Sequence, residues 1–136
     1  MQSIDEIVES FSLLDDWEDR YAILIDLGKK LPSFPEDART EANLVKGCVS
    51  KVWILPKITD GVFTFQGDSD AHIVKGLVGL LYLIYNNKPA AEVPAIDVQN
   101  IFGQLGLLQN LSPNRRNGIV SMIDRITSYC NNAFNS

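Results

Sequence analysis

Apolar residues recur at helical spacing early in the chain, give way to a run of β-formers near position 52, and return to helical spacing after position 70. Ser3 and Glu6 stand at capping-box spacing, and Ile4, Ile7, Val8, Phe11 and Leu14 follow at helical intervals, which predicts a helix over residues 3–14. A second helix is expected from Asp15 or Asp16 to about Lys30, with Trp17, Tyr21, Leu24 and Leu27 as its buried stripe. Glu18 and Asp19 in its first turn and Lys29 and Lys30 in its last suit the helix macrodipole. Pro32 and Pro35 make the stretch from Leu31 to Asn43 a loop with room for one short helical turn.

The period then changes between Lys46 and Ile58. Val52, Trp53, Ile54 and Leu55 favour a strand, Asp60-Gly61 is a strong hairpin signal, and Val62 to Phe65 supply the returning strand. Gly67-Asp68-Ser69-Asp70 is expected to end that strand and to cap the next helix, about residues 70–87. That helix is apolar nearly all round and so belongs in the core. Within it, Lys75-Gly76-Leu77-Val78-Gly79 does not match a phosphate loop, and its two glycines suit close helix packing. Pro89 and Pro94 break the chain, and Asp97 can cap a short helix through Phe102. Ser112-Pro113 opens a last helix that turns Ile119, Met122, Ile123 and Ile126 inward. Helices, a small antiparallel sheet packed by them, then more helices: this order predicts an α+β fold in one domain over residues 1–136.

Composition narrows the functional classes. At 136 residues one core suffices without a disulfide staple, and 46% hydrophobic with 21% charged residues excludes a disordered or collagen-like chain. Twelve basic against 17 acidic residues, net charge -5, remove any general attraction to phosphate backbones, so no nucleic-acid partner is expected. The acids from Asp5 to Asp19 face no base in that segment and read as a solvated face. The N-terminus is acidic where a signal peptide would be basic, and the most apolar run, His72 to Tyr85, is short and contains Lys75. No membrane association is expected, and the expected location is cytoplasmic, where the thiols stay reduced.

Two cysteines and one histidine leave few options for chemistry. They exclude a cysteine-framework fold, a four-cysteine metal site and multi-histidine zinc sites, and no metal site is expected. Cys48 sits in Lys46-Gly47-Cys48-Val49-Ser50, where Gly47 permits a sharp bend and Lys46 and Lys51 would favour a thiolate if close in space. From local sequence alone it is either such a nucleophile or a small buried hydrophobe. Cys130, in the terminal helix, reads as structural. His72 could serve Cys48 as a base, but it falls in a first helical turn, where the dipole disfavours imidazolium, and reads as a surface or capping residue. Gly67 to Asp70 lacks the ligand count of a calcium loop. Arg115 and Arg116 open the last helix against its dipole, which points to an external carboxylate, phosphate or acidic partner.

Four segments together resemble the SufE/CsdE family of sulfur acceptors: WEDRYAILIDLGKKLP at 17–32, NLVKGCVSKVWI at 43–54, FQGDSDAHIVKGLVGLL at 65–81 and LGLLQNLSPNRRNG at 105–118. The resemblance implies the fold shared with IscU-type scaffolds. It implies a cysteine desulfurase partner of the SufS/CsdA type, which holds the pyridoxal phosphate; the chain itself would carry no cofactor. It implies that Cys48 takes the partner's persulfide sulfur and delivers it to an iron–sulfur scaffold complex of the SufBCD type. Arg115 matches the arginine of the family's LSPxR segment, and Lys46, Gly47 and Lys51 flank the acceptor. Val49 and Asn110 stand where the family often has glutamine and histidine, which bears on partner preference rather than on the reaction. Sulfur transfer needs one reachable thiolate and no resolving cysteine, and Cys48 has no cysteine near it in sequence. The alternative is a non-catalytic module that binds and regulates a desulfurase, with Cys48 structural. A protected acceptor should rest under apolar cover, and Val45, Val49, Val52 and Trp53 are the expected cover, with Gly47 as the joint.

Overall fold

The computed structural model describes residues 3–135. The first helix, α1 (Ile4–Ser12), starts as its cap predicts: Ser3 Oγ accepts the Glu6 N–H at 3.2 Å. Ile7 and Phe11 are its buried positions. The second, α2 (Trp17–Lys29), is capped by Asp16, whose carboxylate accepts the Glu18 N–H at 2.9 Å. Its stripe is graded, with Leu24 and Leu27 buried and Trp17 and Tyr21 half-covered. The proline-rich stretch that follows contains one short 3₁₀ turn, Glu36–Ala38.

A hairpin comes next, β1 (Val52–Thr59) and β2 (Val62–Ser69), paired from Val52 opposite Ser69 to Thr59 opposite Val62. Asp60 and Gly61 both have positive φ, 52° and 80°, the pair of left-handed residues that a tight hairpin turn of matching twist requires. Strand β2 runs past the expected stop, because Gly67, Asp68 and Ser69 still pair with β1. The next helix, α3 (His72–Tyr85), therefore begins later than Asp70, with Ala71 at the cap position and no side-chain cap bond. The short β3 (Lys88–Pro89) adds a third antiparallel strand beside β2. Two further short helices, α4 (Val98–Leu105, capped by Asp97) and α5 (Leu107–Asn110), lead into the long terminal helix α6 (Pro113–Asn135). Ser112 opens α6 as expected, its Oγ accepting the Arg115 N–H at 3.3 Å. Nothing in the pattern of apolar positions marks β3 or α5.

The core lies between one face of the sheet and the helices. Val52, Ile54, Phe63 and Phe65 cover that face, and α3 lies over it with Leu77, Val78, Leu80, Leu81 and Ile84 buried. On its other side α3 meets α2 at a glycine contact. A Cβ on Gly76 would collide with the Leu24 carbonyl oxygen, and one on Gly28 would fall 2.9 Å from the Gly76 nitrogen. Backbones this close admit no side chain, which is the close packing the glycines of this helix implied; Gly28 supplies the other half. The buried residues of α6, Ile119, Met122, Ile126 and Cys130, close the remaining side.

Candidate functional site

Cys48 lies at the tip of a loop whose two stems are tied. Leu44 bridges Trp53, the Val45 N–H donates to the Val52 carbonyl at 2.8 Å, and the Ile54 N–H donates to the Asn43 carbonyl at 2.9 Å. Residues 46–51 thus leave the edge of the sheet and return to it. The outgoing stem is held to α6 by Arg125, whose Nη2 donates to the Ala42 carbonyl at 2.7 Å. The returning stem is held by Asp70: its carboxylate accepts the Lys51 N–H at 3.0 Å, and its own N–H donates to the Lys51 carbonyl. Gly47 takes the bend at φ +94°, a conformation L side chains rarely adopt, and a Cβ there would lie 2.5 Å from Ser121 Oγ. Only glycine fits this position.

The loop folds Cys48 back against the protein. Its thiol is half-buried over a cavity of about 30 Å³, lined by Val74 and Leu77 of α3 and by Asn114, Arg115, Gly118 and Met122 of α6. That volume accommodates roughly one water-sized guest. The thiol donates to the Gly118 carbonyl oxygen at 3.5 Å, a weak bond typical of a thiol. Burial pushes the Cys48 thiol up from its ordinary value, and no neighbouring charge counters the shift. Lys46 and Lys51 are exposed and do not lower it, a correction to the electrostatic role expected of them in the resting loop.

The expected cover is corrected as well. Val45 and Val52 are buried, but in the core beneath the stems, and Trp53 lies under the Arg39 guanidinium, 5.0 Å from its ring centroid. Val49 borders the mouth of the cavity, as expected, but is 78% exposed and gives little cover. The cover comes instead from α3 and α6, elements distant in sequence. Arg115 does reach the site, half-buried on the cavity wall, whereas Arg116 beside it is exposed. His72 is exposed at the start of α3 and does not line the cavity, so the cysteine–histidine pairing is not assembled. Cys130 is fully buried in α6. Among the described residues, no three His, Cys, Asp or Glu side chains are grouped to hold a metal ion. No helix among them is long and apolar enough to cross a membrane.

The local motif places Asp68 in a cap and turn; the structure makes it a buried ionic anchor instead. Its Oδ2 lies 2.6 Å from Arg39 Nη2 and its Oδ1 lies 3.2 Å from Lys75 Nζ and 2.8 Å from the Ser69 N–H. Burial alone would raise this carboxyl, but the bonds from Arg39, the Ser69 N–H and Lys75 prevail and hold it below the usual carboxylate range. Asp68 lies on β2 opposite Trp53, so the cluster ties the proline-rich loop and α3 to the strand paired with the one that carries the returning stem.

A small α+β protein that holds a half-buried thiol on a tied loop is the class these features define. The model of the SufE family, described as an Fe-S metabolism associated domain, matches residues 5–130. The chain belongs to that family. It is 49% identical over 132 residues to an uncharacterized SufE-like protein of Rhizobium meliloti (strain 1021), covering 94% of each chain. A second SufE-like protein, from Rhizobium etli, is 48% identical over 130 residues, covering 93% of this chain and 88% of the relative. The fold matches the solution structure of a hypothetical protein from Thermus thermophilus with a TM-score of 0.78, over 98% of this chain and 96% of that one, at 21% identity. Membership associates the chain with iron–sulfur metabolism.

Proposed function

We propose that this protein is a sulfur acceptor that takes the persulfide sulfur of a cysteine desulfurase of the SufS/CsdA type onto Cys48, stimulates that enzyme, and hands the sulfur to an iron–sulfur scaffold of the SufBCD type. The observation that carries the reading is the placement of Cys48: a single thiol at a loop tip, half-buried over a small apolar cavity, with Cys130 buried in the core. The Cys48 thiolate attacks the outer sulfur of the donor persulfide. A new sulfur–sulfur bond forms on Cys48, the donor bond breaks, and the donor cysteine leaves as its thiolate. No electrons enter or leave the pair, and no metal or bound cofactor takes part.

The lining supports each requirement. Apolar walls from Val74, Leu77 and Met122 keep the resting sulfur from oxidants and small thiols. Arg115, on the cavity wall at the start of α6, is suited to stabilise a sulfur anion once the loop lifts. Gly47 provides the bend, and Lys46 and Lys51 offer cations on the outer face of the loop to an acidic partner surface. Loop residues 44–51 form part of the docking surface, because a partner shifts the loop only through contacts it makes better with the open form.

Desulfurase turnover with and without this protein provides the test. Wild type should stimulate turnover, and Cys48→Ser should bind the enzyme without stimulating it, since a serine hydroxyl is not deprotonated at neutral pH. Full stimulation by Cys48→Ser would instead establish a regulatory module with a structural cysteine.

A further inference from the structure

Gly118 occupies the second turn of α6 and is buried, where alanine would favour the helix by about 1 kcal/mol. Cys48 packs directly on it: a Cβ on Gly118 would just touch Cys48, 3.4 Å from Sγ and 3.9 Å from Cβ, so carbons beyond a methyl would compete with the sulfur for this space. The same residue's carbonyl, already the acceptor of a helical N–H, takes the Cys48 hydrogen on its remaining lone pair. A carbonyl oxygen accepts from a thiol and repels a thiolate. We propose that Gly118 is a positioning residue that makes the closed loop a thiol-only state, its carbonyl accepting the Cys48 hydrogen and its missing side chain leaving room for the sulfur.

The surroundings agree. From α3 the cavity receives only Val74 and Leu77, and the nearby Lys75 is engaged with Asp68. From α6 it receives one charge, Arg115, a cation that would favour a thiolate but does not offset the effect of burial on Cys48 in the closed loop. On the loop, Lys46 and Lys51 are exposed, and Asp70 is engaged with the Lys51 N–H. Burial alone pushes the thiol up in this state. Opening the loop must then precede release of the Cys48 proton to solvent. Its use rests on the acceptor reading: the nucleophile forms only when the loop leaves α6, and a docked partner is what favours that.

Alkylation of Cys48 across pH, followed on its own peptide by mass spectrometry, tests this in the absence of any desulfurase. A thiol-only closed state raises the midpoint of the rate profile by one pH unit for every tenfold preference for closure. Above the raised midpoint the rate should meet that of the urea-unfolded chain, because the thiolate cannot stay closed. Gly118→Val, whose added carbons take the place of the sulfur, should bring the midpoint back to about 8.5 and speed alkylation at pH 7 about tenfold. Gly118→Ala, which favours the helix, should move both in the same direction by less. A wild-type rate below the unfolded control by one constant factor at every pH would overturn the proposal, since that is steric cover without selection of the thiol. So would a folded Gly118→Val variant with the wild-type profile or, if that variant does not fold, an unchanged profile in Gly118→Ala. Failure of sulfur loading onto Cys48 would refute the acceptor reading while leaving this result untouched, so the two failures are distinguishable.

Discussion

One helix, α6, meets both thiols of the protein, and its two ends treat them differently. Near its start, Gly118 and Met122 contribute to a cavity into which a side chain from another element, Cys48, is folded. Near its end, Cys130 belongs to the helix itself and is fully buried, close to the buried Tyr85. Burial raises both thiols. The difference is reversibility: lifting residues 46–51 exposes Cys48 while the core stays intact, whereas exposing Cys130 requires the terminal helix to come away. A buried thiol is available for chemistry where the thiol itself is carried on a loop.

The largest effect that can break this comparison is exchange of roles between the cysteines. Cys48→Ser should reduce stimulation of the desulfurase to the level of the enzyme alone, with stability within about 1 kcal/mol of wild type. Cys130→Ser should keep most of the stimulation and lose roughly 1–2 kcal/mol of stability, because it puts a hydroxyl into the core. Denaturant melts and turnover assays on both variants check the pair. The reverse pattern would move the acceptor to Cys130.

Arg115 and Arg116 sharpen the contrast at the start of α6. Arg115→Ala should lower stimulation roughly fivefold, the factor for about 1 kcal/mol at a partly solvated charge. Arg116→Ala should change it less than about twofold, because its side chain is exposed away from the cavity. Equal effects would remove Arg115 from the site.

The smallest expected effect is on the pH dependence of stability. Raised thiols bind protons more tightly in the folded than in the unfolded chain, so stability is present below the unfolded thiol value of about 8.5 and falls as pH rises through it. Tyr85, pushed up to about 12 by burial and then by the neighbouring Cys130, extends the fall to higher pH. Denaturation midpoints should decline above about pH 8.5, and Cys130→Ser should make the decline shallower. An equal slope in both proteins would show that Cys130 keeps its ordinary value.

The same contrast explains what the sequence disclosed. The α+β order, the hairpin at Asp60-Gly61 and the caps at Ser3, Asp16, Asp97 and Ser112 were legible because each depends on neighbours in the chain. The candidate thiol was not settled by its flanks, which left a nucleophile and a buried hydrophobe open; the family resemblance singled it out. Its cover was not legible: Val74, Leu77, Gly118 and Met122 come from helices far along the chain, and hydrophobic residues beside a cysteine do not reveal which of them face it. Gly118 did leave a signal, a glycine inside a helical pattern with no turn to explain it. Asp68 was misassigned for the opposite reason. Its local motif fits a turn, but pairing with β1 keeps it in the strand and Arg39 compensates its burial.

Where the sulfur resides after turnover separates an acceptor cysteine from a structural one. The protein is incubated with a cysteine desulfurase and cysteine, the thiols and persulfides are trapped by alkylation, and the peptides carrying Cys48 and Cys130 are weighed. The Cys48 peptide should gain one sulfur atom, dependent on the desulfurase, and the Cys130 peptide none. A Cys48 peptide that remains an unmodified thiol throughout turnover, while the desulfurase is stimulated, would contradict the acceptor reading.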